Sequence, residues 1–563
     1  MPKPSPRPGQ LIVLFLLALS LAIFAIQLRS LYTVPVFDSV RWGGDETWLM
    51  REFSNQAQHG VMSYPESFVR DSNNIHVPIR TDGVLAGSMW GDALLYGVHA
   101  NFFFPTHDYV SIGRTVTAAL AIILLGSIFF IMRKLGVSQI ISAAAIVLMV
   151  LSQGWVWATH SGRYDLLTGL TLVWYCYFLS RSIIPFEVNA RMRQRMFVVG
   201  MVGVLTICFS RHLLMLGFAA TLVYLYRMRI WRHIDLLLCW ITGSFAAVVF
   251  LSILYYLGSG EFSLFGRGGA MGSYSFVIAQ IPLLRPFSRN VQLSNLAERF
   301  NLFHTDSIGV LATIGVVIFL ALVYKLRQFQ LRRNGIRLRI AIAPEQNFIL
   351  SCVVFCTLTW LLAEGSRPYY LYHIVPLLVI GCAVVLELWR EVYPARWFGE
   401  YGALIVILIA TSLGANRAIP HVELGEAVAR DQSATIGRFL HNATTNSGQK
   451  SRILFDVAGL DLALQDTSRE ALTLDMFAPP PNAELVINKL QVNKIDYVVL
   501  RSSPVSSPFE PGRALLPHVL DSICEVKDSA LGFFYDDGRN YDAKLYQLID
   551  QGLDTLKLYR VNP

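Results

Sequence analysis

The chain has 563 residues, 54% hydrophobic and only 15% charged, with a formal net charge of +8. A soluble protein carries about 25% charged residues, so this composition excludes a chain that is soluble throughout. It also argues against nucleic acid as a partner, because the basic residues sit in short loops between apolar runs and form no stripe interleaved with aromatics.

Residues 11–28 follow a short tail with Lys3 and Arg7. A secretory signal peptide has this form, but no small-x-small cleavage site follows, so the segment reads as an uncleaved first span. A span needs about 20 mostly apolar residues. Such runs recur near 110–132, 138–158, 165–181, 195–210, 212–225, 235–257, 307–325, 347–364, 371–389 and 401–416. Arg211 and His212 divide the fifth span from the sixth, which reads as a very tight hairpin.

Loop charge sets the orientation. With the N-terminus in the cytoplasm, the inner loops carry Arg133-Lys134, the 190–196 cluster, the 226–233 cluster, the 325–339 cluster and Trp389-Arg390-Glu391. The outer segments are then 29–109, 159–164, Arg211-His212, 258–306, 365–370 and everything after 416. Eleven spans place every strongly basic loop inside, whereas an error in the count would put a basic cluster outside.

From about 417 polar residues and turn signals return, at 478–484 and 536–540. Segments 452–458 and 496–502 read as strands and 483–493 as an amphipathic helix between them, which predicts a small α/β unit. Only Cys524 of the seven cysteines lies in it, so no internal disulfide builds it. Cys352 and Cys356 have helical i, i+4 spacing; the bland reading, small apolar helix residues, outweighs a metal pair. The fold class is thus a polytopic α-helical membrane protein, residues 1–416, with a C-terminal soluble α/β domain, residues 417–563, on the outer side. Asn442-Ala443-Thr444 is a glycosylation sequon in that outer domain.

Three places on the outer face carry candidate chemistry. In the first loop, Asp45 and Glu46 follow Gly43-Gly44, and Leu49, Phe53 and Ala57 make one apolar face of a short surface helix. The acidic pair is then either a helix cap or a positioned catalytic carboxylate, and a capped carboxylate serves both roles. At the end of the third span, His160, Arg163 and Asp165 lie beside hydrocarbon. Arg163 reads either as an interfacial anchor paired to Asp165 or as a ligand for an anionic headgroup or phosphate. Between the ninth and tenth spans stand Arg367, Tyr369 and His373. Arg367, His373 and Arg211 are cations on the face where positive charge is disfavoured, which suits phosphate ligands. The 258–306 loop, with Arg267, Arg285 and Arg289 and the glycine-rich 266–273, lacks P-loop context and reads as a lid.

These residues resemble a known family. GDETWLMREFSNQAQHG resembles the first-loop Asp-Glu motif and juxtamembrane helix of the GT-C glycosyltransferases, in the branch of the protein O-mannosyltransferases and lipid A aminoarabinose transferases. GRYDLLTGLTLVWYCYFLSRS is similar to their Arg/Asp-bearing fourth-span segment, and SRPYYLYHIVPLLVIGCAVVL to their late Arg-Tyr…Pro-Leu-Leu segment. The resemblance covers roughly 10–416 and departs where those relatives often carry a Lys-Pro-Pro-Leu-like stretch; here Gly91-Asp92-Ala93 stands, so Asp92 joins the substrate pocket as a variant residue. The resemblance implies a polyprenyl-phosphate sugar donor, with the acceptor left open between glycan, lipid and protein; the short loops and compact chain point to a bacterial inner membrane. Asp45 is then the general base with Glu46 beside it, and Arg163 and Arg367, with Arg211 as a third, bind the donor phosphate. The anomeric centre inverts. No cofactor is implied, and a metal requirement stays open. The rival readings are a lipid-linked glycan polymerase or ligase and a lipid-sugar flippase. A flippase would need neither the paired carboxylates nor an outer folded domain, and transporters often show the paired repeats that are missing here.

Overall fold

The computed structural model describes residues 8–33, 68–70, 76–78, 109–159, 165–183, 190–207, 213–259, 307–332, 343–362, 371–392, 401–413, 434–435, 437–443, 451–455, 469–473, 483–501, 511–532 and 554–561. Helices lie over every apolar run named above. They are α1 (Pro8–Thr33), α2 (Tyr109–Lys134), α3 (Gln139–Val150), α4 (Gln153–Thr159), α5 (Asp165–Arg181) and α6 (Ala190–Ile207). Then come α7 (Leu213–Arg227), α8 (Ile234–Ser259), α9 (Ser307–Arg332), α10 (Pro344–Leu362), α11 (Leu371–Val392) and α12 (Tyr401–Leu413). Among the described residues three segments are long and apolar enough to cross a membrane, Gly9–Arg29, Arg114–Lys134 and Tyr372–Val392. Shorter apolar helices cover Gln139–Val150, Ile234–Phe250, Ile308–Ala321 and Tyr401–Leu413.

One end of the bundle is knotted by polar contacts. Glu387 on α11 is buried and accepts the backbone N–H of Ser138 at 2.9 Å and Nε of Arg390 at 2.9 Å. Gln346 on α10 donates to the carbonyl of Leu135 at 2.7 Å, while Arg133 reaches the carbonyl of Val137. Arg181 at the end of α5 pairs with Glu345 at 3.2 Å, and Arg227 at the end of α7 donates to Asn347 and Ser351 at 2.8 and 3.0 Å. The C-terminal ends of α2, α5, α7 and α11 therefore meet the N-terminal ends of α3 and α10 here. The charged ends of helices leave the apolar layer together, because an unpaired charge or helix-end amide inside it is costly.

Small residues set the closest packings. A Cβ on Gly243 of α8 would lie 2.0 Å from the carbonyl oxygen of Phe197, and one on Gly200 of α6 would lie 2.2 Å from that of Trp240. The two backbones touch, as expected where lipid supplies no hydrophobic drive and van der Waals contact must do the work. Arg193 and Asp235, 3.0 Å apart, close the same pair at its N-terminal ends. Gly169 of α5 faces Pro376 of α11, and an added Cβ would sit 3.0 Å from the proline Cγ.

The C-terminal part is a five-stranded sheet in the order β4-β3-β5-β7-β6, from β3 (Ser451–Phe455), β4 (Arg469–Thr473), β5 (Tyr497–Arg501), β6 (Glu525–Gly532) and β7 (Asp554–Arg560). A separate two-stranded antiparallel pair, β1 (Phe68–Arg70) and β2 (His76–Pro78), lies in the segment between α1 and α2. In the larger sheet β3 is parallel to β4 and β5, and β7 is antiparallel to β5 and β6. Helices α13 (Ala483–Val492) and α14 (Pro511–Ile523) cover one face through Val486, Leu490, Leu516 and Leu520, packed on Leu454, Val498, Leu500 and Tyr559. This core shares no residue with the helical one. The opposite face carries buried Ile453, Val499 and Leu558. Beside Leu558 in register stands Asp528, which holds the helical segment 437–442 through Arg438 at 3.0 Å and Asn442 at 2.9 Å. The sequon asparagine is thus already engaged.

Asp521 on α14 accepts from Lys557 at 2.8 Å and from the buried Tyr559 hydroxyl at 2.7 Å. Burial pushes its carboxyl up, but the hydrogen bonds from Lys557 and Tyr559 together outweigh that and hold it below its ordinary value. Its contribution is present above the unfolded pKa, about 3.9, and is lost as pH falls through the lower folded value. Melts of Asp521→Asn against the wild-type chain should show a gap at pH 7 that closes below about pH 4; a gap constant with pH would refute the ion-pair account. For the helices, Gly243→Ala should lower stability by about 1–3 kcal/mol through backbone overlap. Gly126→Ala has no atom within 4 Å of the new Cβ and should leave the melt unchanged or raised. Equal melts for both variants would remove the close-contact argument.

Candidate functional site at the end opposite the polar knot

Helices α2, α5, α7 and α11 run toward the polar knot, so Tyr109, Asp165, Leu213 and Leu371 begin them at the opposite end. The chain segments that carry the sequence-derived candidates join the bundle there. Asp45, Glu46 and Asp92 belong to the segment between α1 and α2, His160 and Arg163 to that between α4 and α5, Arg211 to that between α6 and α7, and Arg367 and Tyr369 to that between α10 and α11. These eight residues lie outside the described residues. So do the surface helix expected at 49–57, the 211–212 hairpin and the glycine-rich 266–273.

Two candidates fall within the description. Asp165 is the first residue of α5. His373 is the third residue of α11 and is 1% exposed, so it lies inside the bundle near the end opposite the polar knot and not on a free surface. Its ring meets that of Tyr372 edge-on, centroids 4.6 Å apart. The Gly169–Pro376 contact ties these two helix starts together. Asp165 stands four residues before Gly169 and His373 three before Pro376, a rise of about 6 Å and about 4.5 Å beyond the contact. Pro376 has no N–H, so it cannot donate to the carbonyl of Tyr372.

The route into 160–164 is firmly built. Run 138–158 reads as one span in the sequence, but the helix breaks at Leu151 and Ser152. Ser152 is buried, donates to the carbonyl of Met149 at 2.8 Å and accepts the N–H of Trp155 at 3.1 Å, so it caps α4. Gln27 of α1 donates to the carbonyl of Val150 at 2.8 Å and accepts from the Trp155 indole at 3.2 Å. Phe24 packs beside Trp155, centroids 5.9 Å apart. Each backbone group freed by the break that these bonds reach is satisfied, which is what lets a broken helix persist in apolar surroundings.

The end opposite the polar knot also buries polar groups that the sequence reading passed over. Arg114 on the second turn of α2 is 4% exposed, and Thr117, Thr159 and Thr168 are buried too. Each of these, with Tyr372 and His373, is engaged in a polar, ring or electrostatic contact. Arg114 carries the signal that marked Arg163 and Arg367, a guanidinium at the outer edge of an apolar run, and was hidden because it stands inside the run. Among the described residues no group of three His, Cys, Asp or Glu side chains could hold a metal ion. Cys352 and Cys356 are core residues, with the Cys356 thiol 3.5 Å from the carbonyl of Leu216.

No protein-family model matches the chain, and no curated protein matches it. Solved structures do. ArnT from Cupriavidus metallidurans bound to undecaprenyl phosphate aligns with a TM-score of 0.51 at 14% identity, covering 97% of this chain and 97% of that one. The archaeal oligosaccharyltransferase AglB from Archaeoglobus fulgidus, in complex with an inhibitory peptide and a dolichol-phosphate, aligns with a TM-score of 0.44 at 11% identity, over 85% of this chain and 69% of that one. The likeness to ArnT extends over both the helical part and the sheet, so the chain shares that fold.

Proposed function

We propose that the protein is a multi-pass membrane glycosyltransferase that moves a sugar from a polyprenyl-phosphate donor to an acceptor hydroxyl. The observation that carries this reading is the GT-C fold, matched along nearly the whole chain, with every candidate segment joining one end of the bundle. The lipid phosphate leaves without a general acid, so the chemistry needs a base and cations. Asp45 takes the proton of the attacking hydroxyl, with Glu46 shaping the pocket. Arg163, Arg367 and Arg211 stabilise charge growing on the departing phosphate, and Arg114 supplies a further buried cation beside them. Asp92, His160, Asp165, Tyr369 and His373 line the pocket. Attack opposite the phosphate inverts the anomeric centre.

Eleven spans carry this site, α3 and α4 together forming one of them, with the knotted end in the cytoplasm of a bacterial inner membrane. Arg133, Lys134, Arg181, Arg227 and Arg390 gather at that end, as the positive-inside rule requires. Residues 417–563 then form a periplasmic domain. A reporter fused after Ala418 should be active outside the cytoplasm and one fused near Arg333 inside; the reverse at either site would overturn the orientation.

The reaction is tested by transfer of radiolabelled sugar from polyprenyl phosphate by the purified chain. Asp45→Asn should lower turnover by about a hundredfold or more, the scale of general-base loss. Its melt should be unchanged, because Asn caps a helix about as well as Asp. Arg163→Ala and Arg367→Ala should weaken donor use with the fold intact. Wild-type transfer by Asp45→Asn would leave Asp45 a cap, and a chain that moves the lipid across a bilayer but transfers nothing would be a flippase.

A further inference from the structure

The knotted end carries an exposed patch that the transfer chemistry does not use. The turn between α7 and α8 is a single 3-10 turn, Ile230–Arg232. Met228 and Ile230 are buried and pin it to the core. Pinned in this way, the turn leaves Tyr226, Trp231 and Ile234 outward, 69%, 56% and 75% exposed. The Tyr226 and Trp231 rings lie 5.7 Å apart and tilted. Between them Arg229 holds a left-handed backbone, φ 48°, which glycine or asparagine adopts with less strain.

The surrounding charge is one-sided. Arg229 and Arg232 are exposed, and neither has an acidic partner among the described residues. The carboxylate beside them, Asp235, is taken by Arg193 at 3.0 Å. Exposed Arg191 and Arg195 stand on the first turns of α6, which the Tyr224 hydroxyl on α7 meets at Met196, 3.8 Å away. Guanidinium forks match phosphate oxygens, and an exposed aromatic pair flanked by cations suits the boundary between headgroups and acyl chains.

We propose that this turn binds the headgroup of an acidic phospholipid, with Arg229 and Arg232 on the phosphate and Trp231 and Tyr226 seated at the acyl boundary. The net positive patch selects an acidic over a zwitterionic lipid. The proposal rests on α7 and α8 crossing a bilayer and needs no sugar transfer.

The experiment uses the full chain in a non-ionic detergent and follows displacement of a fluorescent phosphatidylglycerol. Unlabelled phosphatidylglycerol should displace it, while phosphatidylcholine and inorganic phosphate should not. Arg229→Gln with Arg232→Gln should weaken binding about twenty-five-fold, roughly fivefold for each charge at the surface. The charge-conserving pair Arg229→Lys with Arg232→Lys should retain most of it, which guards against misfolding as the cause. Trp231→Ala should weaken binding several-fold. Unchanged affinity in the Gln pair, or equal displacement by phosphatidylcholine, would overturn the proposal. Displacement by inorganic phosphate would show a free-anion site and overturn the lipid assignment. Sugar transfer is not read, so failure here leaves the transferase reading standing, and a failed transfer assay leaves this one untouched.

Discussion

A buried carboxylate governs the helical part of this protein. The Glu387 side chain is 2% exposed, and an ion removed from water costs several kcal/mol unless it finds partners. It finds the guanidinium of Arg390 one turn on and the N–H of Ser138, which lies at the head of a different helix. The carboxylate therefore fixes the α2–α3 turn against the end of α11. Gln346 fastens the same turn to α10, and Arg181 and Arg227 fasten α5 and α7 to it. The exposed pairs among these add little energy each. Their effect is geometric, because together they hold several helix ends at one level.

The opposite end carries the candidate segments. His373 lies fourteen residues before Glu387 on the same helix, about 21 Å away along the axis. Between them the helices touch through Gly169 and Pro376 and through Gly381 against Val353, where a side chain on either glycine would push the helices apart. The end opposite the polar knot collects buried polar groups, Arg114, Thr117, Thr168 and His373, where an apolar layer would ordinarily exclude them. Such groups are costly to keep, and they concentrate at the end that the candidate segments join.

The sheet is built by a different route. Its core is its own, from Leu454, Val498 and Leu500 to the helix residues Val486, Leu490, Leu516 and Leu520. Both faces of the central strands are buried, which explains why β5 reads as an uninterrupted apolar run and does not alternate. Asp528 and Asp521 serve it as Glu387 serves the bundle, each binding a helical segment to a strand.

Much was legible from local pattern. The apolar runs became helices, 483–493 became α13, and the strands expected at 452–458 and 496–502 appeared at Ser451–Phe455 and Tyr497–Arg501. Hydropathy and periodicity are properties of neighbouring residues, so a sequence displays them directly. The break in run 138–158 carried only weak local signals, a cap residue at Ser152 and a glycine at 154, which a long apolar run overrides in a sequence reading. It is made tolerable by Gln27, more than a hundred residues earlier in the chain, reaching the carbonyl of Val150. Arg114 was missed for a similar reason, because an arginine inside an apolar run looks like an interruption until the helix around it is seen to be buried. Hydropathy and local periodicity alone determined a many-helix membrane chain with a polar α/β tail. Which carboxylate is buried, which helix ends share a level and which side chains meet beneath the candidate site were decided only by tertiary contacts, since partners distant in sequence leave no mark on the local pattern of either one.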